Sequence, residues 1–452
     1  MKAPKRALSV LAIGVALALA FFIVPAVTDS GQQASAGGPL TLIYYDGHMH
    51  TTRSDGSGSV ADIKATALAR GLDAVIITDH CKGLTKAEWA SLKAETKQAS
   101  DKSFLALPAF EITGSECIFN RGHMNAYNVS SPFVRDELCP EEVWPDPPNP
   151  AGTGANAESL EKWADWVHSE GGIANHNHTS GTTQLSYDVD NIEIYNQSHV
   201  DDIVSYAVAL GIPPADAWGF AIMMNDFAVY GERDLNTIVN FLGNNVPLRL
   251  AIYMATQYIP PYVGQIIGWN PPSAPDPTVP GDLNSWDELL MAYVDGTVKR
   301  PTFGVANSDA HNTGAVNSDV GVAKNGLYVK TLTADEVYEA IKAGRSFATN
   351  GPSLTFDANG AIMGETVRVA SGGSVKVNLS ATAETPGYIV AKMVIYKNGQ
   401  VWKTIYGGGG PATRTDTVTA DGYYRIEVTS VPASGLGLPQ FAWSNPVFVK
   451  VK

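Results

Sequence analysis

Five apolar runs in this chain each lead into side chains able to hold a metal ion, and this constrains the fold more than any other feature. Leu42-Ile-Tyr-Tyr-Asp46 leads to His48 and His50, Val75-Ile-Ile-Thr-Asp79 to His80, and the run from Phe104 to Phe110 to Glu111. Ile173 opens a segment holding His176 and His178, and Phe303 one that reaches Asp309 and His311. Helix signals separate these runs. Ser59 with Asp62 is a capping box opening a helix that closes before Gly71, and Thr85 with Glu88 opens the next. A third helix is expected from about Glu158 to Glu170, and Thr333 with Glu336 caps one ending at Gly344. Strands separated by helices predict an α/β fold with a parallel sheet or barrel. In a parallel barrel the strand C-termini share one face, so ligands scattered from 48 to 311 would converge.

Spacing sharpens that expectation. Residues two apart on an extended segment point to one side, so His48 and His50 reach one ion while Met49 turns away. Asp309 and His311 repeat the arrangement. A single buried histidine is ordinarily a hydrogen-bonded structural residue. Here seven of the nine, including His123 in Gly122-His-Met-Asn-Ala-Tyr127, fall in strand-end segments; His168 and His199 are read as surface or satisfied residues. With three cysteines and no CxxC pair, a metal must be held by His, Asp and Glu.

Lys2, Lys5 and Arg6 precede an uncharged, largely apolar run from Ala7 to Val27, the pattern of an export signal, with Ala34-Ser35-Ala36 as a cleavage site. An uncleaved anchor attaching the chain to a membrane is the alternative. Either way residues 37 onward are expected outside the cytoplasm, periplasmic, extracellular or anchored on the outer face. Export permits a disulfide, and Cys117 with Cys139 would close a loop around His123 and leave Cys81 unpaired; three unlinked thiols are the other reading. A net charge of -14 offers no basic surface for nucleic acid. Residues 1–36 are thus a targeting segment and 37–352 the α/β region. Within the latter, residues 200–300 read as helices and loops, with a Pro-rich stretch from Asn270 to Pro280 as a candidate lid. From Ser353 to Lys452, alternating runs between Gly, Pro and Asn turns predict a small Ig-like β-sandwich in which Trp402 and Trp443 are core.

His48-Met-His50 through Asp55-Gly56, Ile77-Thr-Asp-His80, Glu111, His123, the Gly171-Gly172 to His178 segment and Asn307-Ser-Asp-Ala-His311 resemble the PHP superfamily, named for polymerase and histidinol phosphatase. Ile192-Glu-Ile-Tyr-Asn196, the stretch from Leu332 to Pro352 and Trp443-Ser-Asn-Pro-Val-Phe448 resemble its CehA/McbA branch, which includes carbaryl hydrolases. The resemblance implies a distorted (β/α)7 barrel carrying two or three Zn, Mn or Fe ions. It implies that His48, His50, Glu111 and Asp309 hold one ion, with Glu111 bridging to a second held by His123 and His178. It gives a third to Asp55, His80 and His311. His176 competes with His178, and counting from Gly171-Gly172 favours His178.

Two cations bridged by a carboxylate lower the pKa of a shared water to near neutrality beside an electrophile that the same ions polarise, which makes Glu111, Asp309 and His311 candidate catalytic residues. A third cation suits a phosphoester, and Arg53 is the candidate cationic donor to it, with Arg121 beside His123. Arg345 and Asn350 are rim candidates from the resemblance. Trp218, Trp269, Tyr258 and Tyr262 are wall candidates that more often serve as core. The expectation is an exported hydrolase of a small-molecule phosphoester, oligomeric state open. A carboxyl-ester or carbamate hydrolase is the alternative, and a non-catalytic envelope protein binding glycan or a partner is a rival of another class.

Overall fold

A computed structural model describes residues 33–35, 38–81, 84–112, 123–129, 157–177, 188–196, 238–241, 244–247, 282–314, 318–434 and 439–452. The export segment, the Pro-rich stretch, Cys117, Cys139, Arg121, His178, His199 and the four wall aromatics lie outside them. No helix among the described residues is long and apolar enough to cross a membrane.

The chain begins β1 (Gln33–Ser35), β2 (Gly38–Asp46), α1 (Val60–Ala69), β3 (Ala74–Ile77), α2 (Lys86–Ala99), β4 (Leu105–Pro108) and β5 (Phe110–Ile112). β6 (His123–Tyr127), α3 (Ala157–Ser169), β7 (Ile173–Asn177) and β8 (Asn191–Asn196) follow. A hairpin of β9 (Ile238–Phe241) and β10 (Asn244–Pro247) falls where the sequence predicts only helices and loops. α4 (Asp282–Val294), β11 (Phe303–Asn307), β12 (Lys324–Val329), α5 (Ala334–Lys342) and β13 (Ser346–Thr349) complete the α/β region.

Local sequence explains the helix boundaries. Ser59 and Asp62, and Thr85 and Glu88, form reciprocal capping boxes that satisfy orphan N–H groups of α1 and α2. Thr333 caps α5, but Glu336 does not return the bond; its carboxylate accepts from the Lys330 N–H and Arg345 instead. β3 is buried on both sides, with Val75 and Ile77 in one core cluster and Ala74 and Ile76 in another. That is the double burial a continuous apolar run predicts.

β2, β3 and β4 pair in parallel, and so do β7, β8 and β11. The all-parallel expectation fails at β6, antiparallel to both β5 and β7, and at β12, antiparallel to β2. Only residues 113–122 join β5 to β6, short of the dozen or so that a parallel crossover needs. The two sheets meet at both ends. Ala109 donates to the Ile77 carbonyl at 2.7 Å where β4 passes into β5. On the other side the Asn325 amide bonds both the N–H and the carbonyl of Ala306, at 2.9 and 2.7 Å, joining β12 to β11.

The C-terminal region is strand-rich: β14 (Ser353–Ala358), β15 (Ala361–Ile362), β16 (Thr366–Val369), β17 (Gly373–Thr382), β18 (Tyr388–Lys397), β19 (Gln400–Tyr406), β20 (Ala412–Val418), β21 (Gly422–Pro432), β22 (Gln440–Ser444) and β23 (Val447–Val451). A sheet ordered β15-β14-β17-β20 shares its core with β18, β21, β22 and β23. Trp443 is fully buried, as expected, whereas Trp402 is half-buried beside Tyr424. The border at 352/353 is crossed by one 12-stranded sheet, because β13 pairs with β22 through Phe347 opposite Ser444 and Ala348 opposite Trp443. Beside this seam Arg425, fully buried, grips Asp287 of α4 with Nε and Nη2 at 2.7 Å and Glu427 with Nη1 at 2.6 Å.

The disulfide expectation needs correction. Cys81, expected unpaired, is buried and disulfide-bonded, and its partner lies outside the described residues.

Candidate metal centre

The chain leaves β2 at Asp46 still extended, and Met49 forms a parallel bridge with Ala310. Met49 is buried in the core cluster beneath α1 and α2, so alternation turns His48 and His50 to the other side together. Asp309 and His311 flank Ala310 in the same way, with Asp309 at φ 50°, a left-handed conformation that Asn and Asp adopt more readily than other side-chain-bearing residues. A second parallel bridge, His80 with Glu111, sets the ends of β3 and β5 side by side.

Two groups of ligand atoms result, each lying within 4.8 Å: His48, His50, Glu111 and Asp309 in one, His50, Asp55, His80 and His311 in the other. In the first, His48 Nε2 lies 3.1 Å from Asp309 and 3.2 Å from Glu111 Oε2, and His50 Nε2 lies 3.0 and 3.5 Å from the same oxygens. In the second, Asp55 Oδ2 is 3.2 Å from His80 Nε2 and 3.3 Å from His311 Nε2, with His50 Nδ1 3.6 Å from Oδ1. The His50 ring stacks on those of His80 and His311, each at 4.4 Å, and His50 belongs to both groups. Glu111 spans the centre: Oε2 faces His48, His50 and His80, while Oε1 lies 2.8 Å from His123 Nδ1.

The electrostatics favour positive charge here. For His48, burial alone would lower the imidazole, but the charges of Asp309, Glu111 and Glu193 raise it well above its ordinary range. Burial is likewise overcome at His80 by Glu111 and Asp55, which push it up to about 10, and at His311 by Asp55 and Asp309, which push it up to about 9. Glu111, despite complete burial, is held well below the usual carboxylate range by His48, His80 and His123. Asp55 is held low against its burial by His311 and His80. At His50, burial outweighs the bond to Asp309, and the neighbouring His80 lowers it further. The donor set fits divalent cations: imidazoles and carboxylates converge, several of them buried. Cations arriving there would displace the protons that these imidazoles hold.

Other expected residues are placed differently. His176 is buried in β7, but Asn177 donates to Glu111 Oε1 at 3.0 Å and Asn175 to Asn177 at 2.7 Å. Strand alternation therefore puts residues 175 and 177 on the metal side and His176 on the opposite face, which corrects its candidacy. Arg53 is committed to α2, its Nη2 bonding Glu95 and lying 3.4 Å from Ser91. Arg345 is tied to Glu336 at the end of β13 remote from the centre. Asn350, at the nearer end, bonds the Tyr195 hydroxyl and the Phe441 N–H. His168, expected at the surface or satisfied, bonds Asp190 at 2.7 Å.

Sequence reasoning assigned no role to Glu193, which is buried on β8 with Oε1 2.9 Å from His48 Nδ1. It also missed Asp79, whose carboxylate accepts from the Thr51 N–H and hydroxyl and from Ser54, shaping the turn toward Asp55. A signal existed for Glu193: an acid between two isoleucines in a buried strand.

No protein-family model matches the chain, and no curated protein does. Among solved structures it is similar to a two-domain protein from Bacteroides vulgatus containing a predicted PHP-like metal-dependent phosphoesterase, at 12% identity and TM-score 0.36, covering 91% of this chain and 97% of that one. An amidohydrolase from Chromobacterium violaceum with bound sulfate and no metal is matched at 16% identity and TM-score 0.24, over 36% of this chain and 81% of that one. A protein from Bifidobacterium adolescentis provisionally named a metal-dependent phosphoesterase is matched at 16% identity and TM-score 0.23, over 49% and 98%. With each of these TM-scores below 0.5, the functional reading rests on the chain's own side chains.

Proposed function

We propose that this chain is a metal-dependent hydrolase of the PHP superfamily, exported, acting on the ester bond of a small molecule, a phosphoester first. The observation that carries the reading is Glu111: one fully buried carboxylate met by four imidazoles, those of His48, His50, His80 and His123. On this reading the two sheets form the distorted barrel and residues 353–452 a sandwich fused to it. Divalent cations held by the two ligand groups supply a water of near-neutral pKa and polarise the ester oxygen.

The chain's own residues supply the rest. His48, His50 and Glu111 form a dry floor, whereas the side chains of Asp55 and His311 are 50% and 41% exposed. Substrate therefore enters from the Asp55 and His311 side, with the buried carboxylates beneath the reacting centre. The left-handed Asp309 backbone aims its carboxylate at His48 and His50. A carboxyl ester or carbamate is the second reading, favoured by one observation: Arg53, the cation expected to receive a phosphate, is occupied by Glu95.

The test is to compare hydrolysis of an aryl phosphate with that of an aryl carboxylate ester and an aryl carbamate, before and after chelation. Chelator-sensitive turnover led by the phosphate supports the first reading, and faster turnover of an uncharged ester installs the second. A metal-replete chain inactive on every ester, with residues 353–452 holding it to cell-wall glycan, would replace both with a binding role.

A further inference from the structure

Behind His48 lies a polar chain that the hydrolase reading does not require. Asn325, fixed by its bonds to both backbone groups of Ala306, donates to Asn307 Oδ1 at 3.1 Å, and the Gly47 N–H donates to the same oxygen at 3.0 Å. With its oxygen held by two donors, the Asn307 amide must turn its NH2 outward, and it donates to Glu193 Oε1 at 2.8 Å. Asn196 Nδ2 donates to Glu193 Oε2 at 3.0 Å. The register of β8 shifts against β11 between Val305 and Ala306, so that Glu193 pairs with Val305 but Tyr195 with Ala306. This irregularity lets Asn196 rather than Tyr195 join Glu193, while Tyr195 packs on Trp443. Glu193 is thus a buried carboxylate that accepts from the amides of Asn307 and Asn196 and lies 2.9 Å from His48 Nδ1.

We propose that Glu193 is a positioning residue of the metal centre. It fixes His48 with the proton on Nδ1 and so keeps Nε2, which faces Glu111 and Asp309, as the ligand nitrogen. A ligating histidine whose second nitrogen donates to a carboxylate is held in one tautomer and orientation and becomes more basic toward the ion; losing such a partner typically costs about 10- to 100-fold in metal affinity. Asn307 and Asn196 act through Glu193, since each presents an NH2 that only an acceptor can meet. The inference rests on the hydrolase reading for its consequence, but the contact between Glu193 and His48 Nδ1 is a property of the chain itself.

The test uses the full chain with ¹⁵N-labelled histidine. In the zinc-loaded wild type, His48 Nδ1 is expected to be protonated; an unprotonated Nδ1 there overturns the proposal, whatever the variants do. In Glu193→Gln the charge is lost and the one NH2 faces either Asn196 or Asn307 with His48, so the tautomer preference should weaken. Zinc affinity, measured by chelator competition, should fall about 10- to 100-fold, with ester hydrolysis restored by excess zinc. Wild-type affinity and an unchanged tautomer in Glu193→Gln would overturn the proposal. A wild type that binds zinc with Nδ1 protonated yet hydrolyses no ester would instead sink the hydrolase reading and leave the positioning intact.

Discussion

Two buried charged clusters in this molecule are built from similar residue types and reach opposite ends. Around Arg425, the cation is supplied by the chain itself: its guanidinium bonds Asp287 at two points and Glu427 at one, the Tyr423 hydroxyl donates to Asp287 at 2.6 Å, and the rings of Trp286 and Tyr396 cover it. Around Glu111, carboxylate oxygens and imidazole nitrogens face one another, with His48, His50, His80 and His123 about the one carboxylate. The first cluster is a lock between α4 and β21, complete as folded. The second needs positive charge from protons or cations. Burial of charge does not by itself mark a functional site; what matters is whether donors and acceptors balance within the chain.

The comparison breaks most easily at the metal centre. His50→Ala removes the one imidazole shared by both ligand groups, and ester hydrolysis should fall on the order of 10³-fold or more, because the cation's several kcal/mol of transition-state stabilisation goes with it. Thermal unfolding of the metal-free protein should change little, and a matching collapse in stability would make His50 structural. At the lock the pattern should invert. Arg425→Met leaves Asp287 and Glu427 buried without their cation and should cost about 3–5 kcal/mol in denaturant unfolding, while metal content at low denaturant stays at the wild-type level. Pairing it with Asp287→Leu should recover part of that loss. The smallest effect belongs to the helix caps. Thr85→Ala should destabilise by about 1 kcal/mol, with metal content and activity unchanged.

Features that depend on near neighbours were legible in the sequence. Ser59 with Asp62 and Thr85 with Glu88 act across three residues, and His48 with His50 and Asp309 with His311 across two, so spacing alone exposed them. Glu193 was not assigned, because its meaning depends on His48, 145 residues away, and on a register shift that no local pattern reveals. The antiparallel turn of β6 and the pairing of β13 with β22 across the 352/353 border are likewise long-range events. His176 shows how parity misleads. Counting from Gly171-Gly172 favoured His178 and put His176 on the same face as it, whereas the strand presents Asn175 and Asn177 to Glu111. Arg53 shows the limit of proximity in sequence: three residues from His50, it serves α2.

The central claim is that the imidazoles gathered around the buried Glu111 hold divalent cations, and metal stoichiometry tests it most directly. Elemental analysis of the full chain, prepared without chelators, should find two or three divalent ions, and Glu111→Gln should hold at least one fewer while remaining folded. A wild type that takes up no Zn, Mn or Fe when these are supplied, or a Glu111→Gln chain as replete as the wild type, would contradict the account.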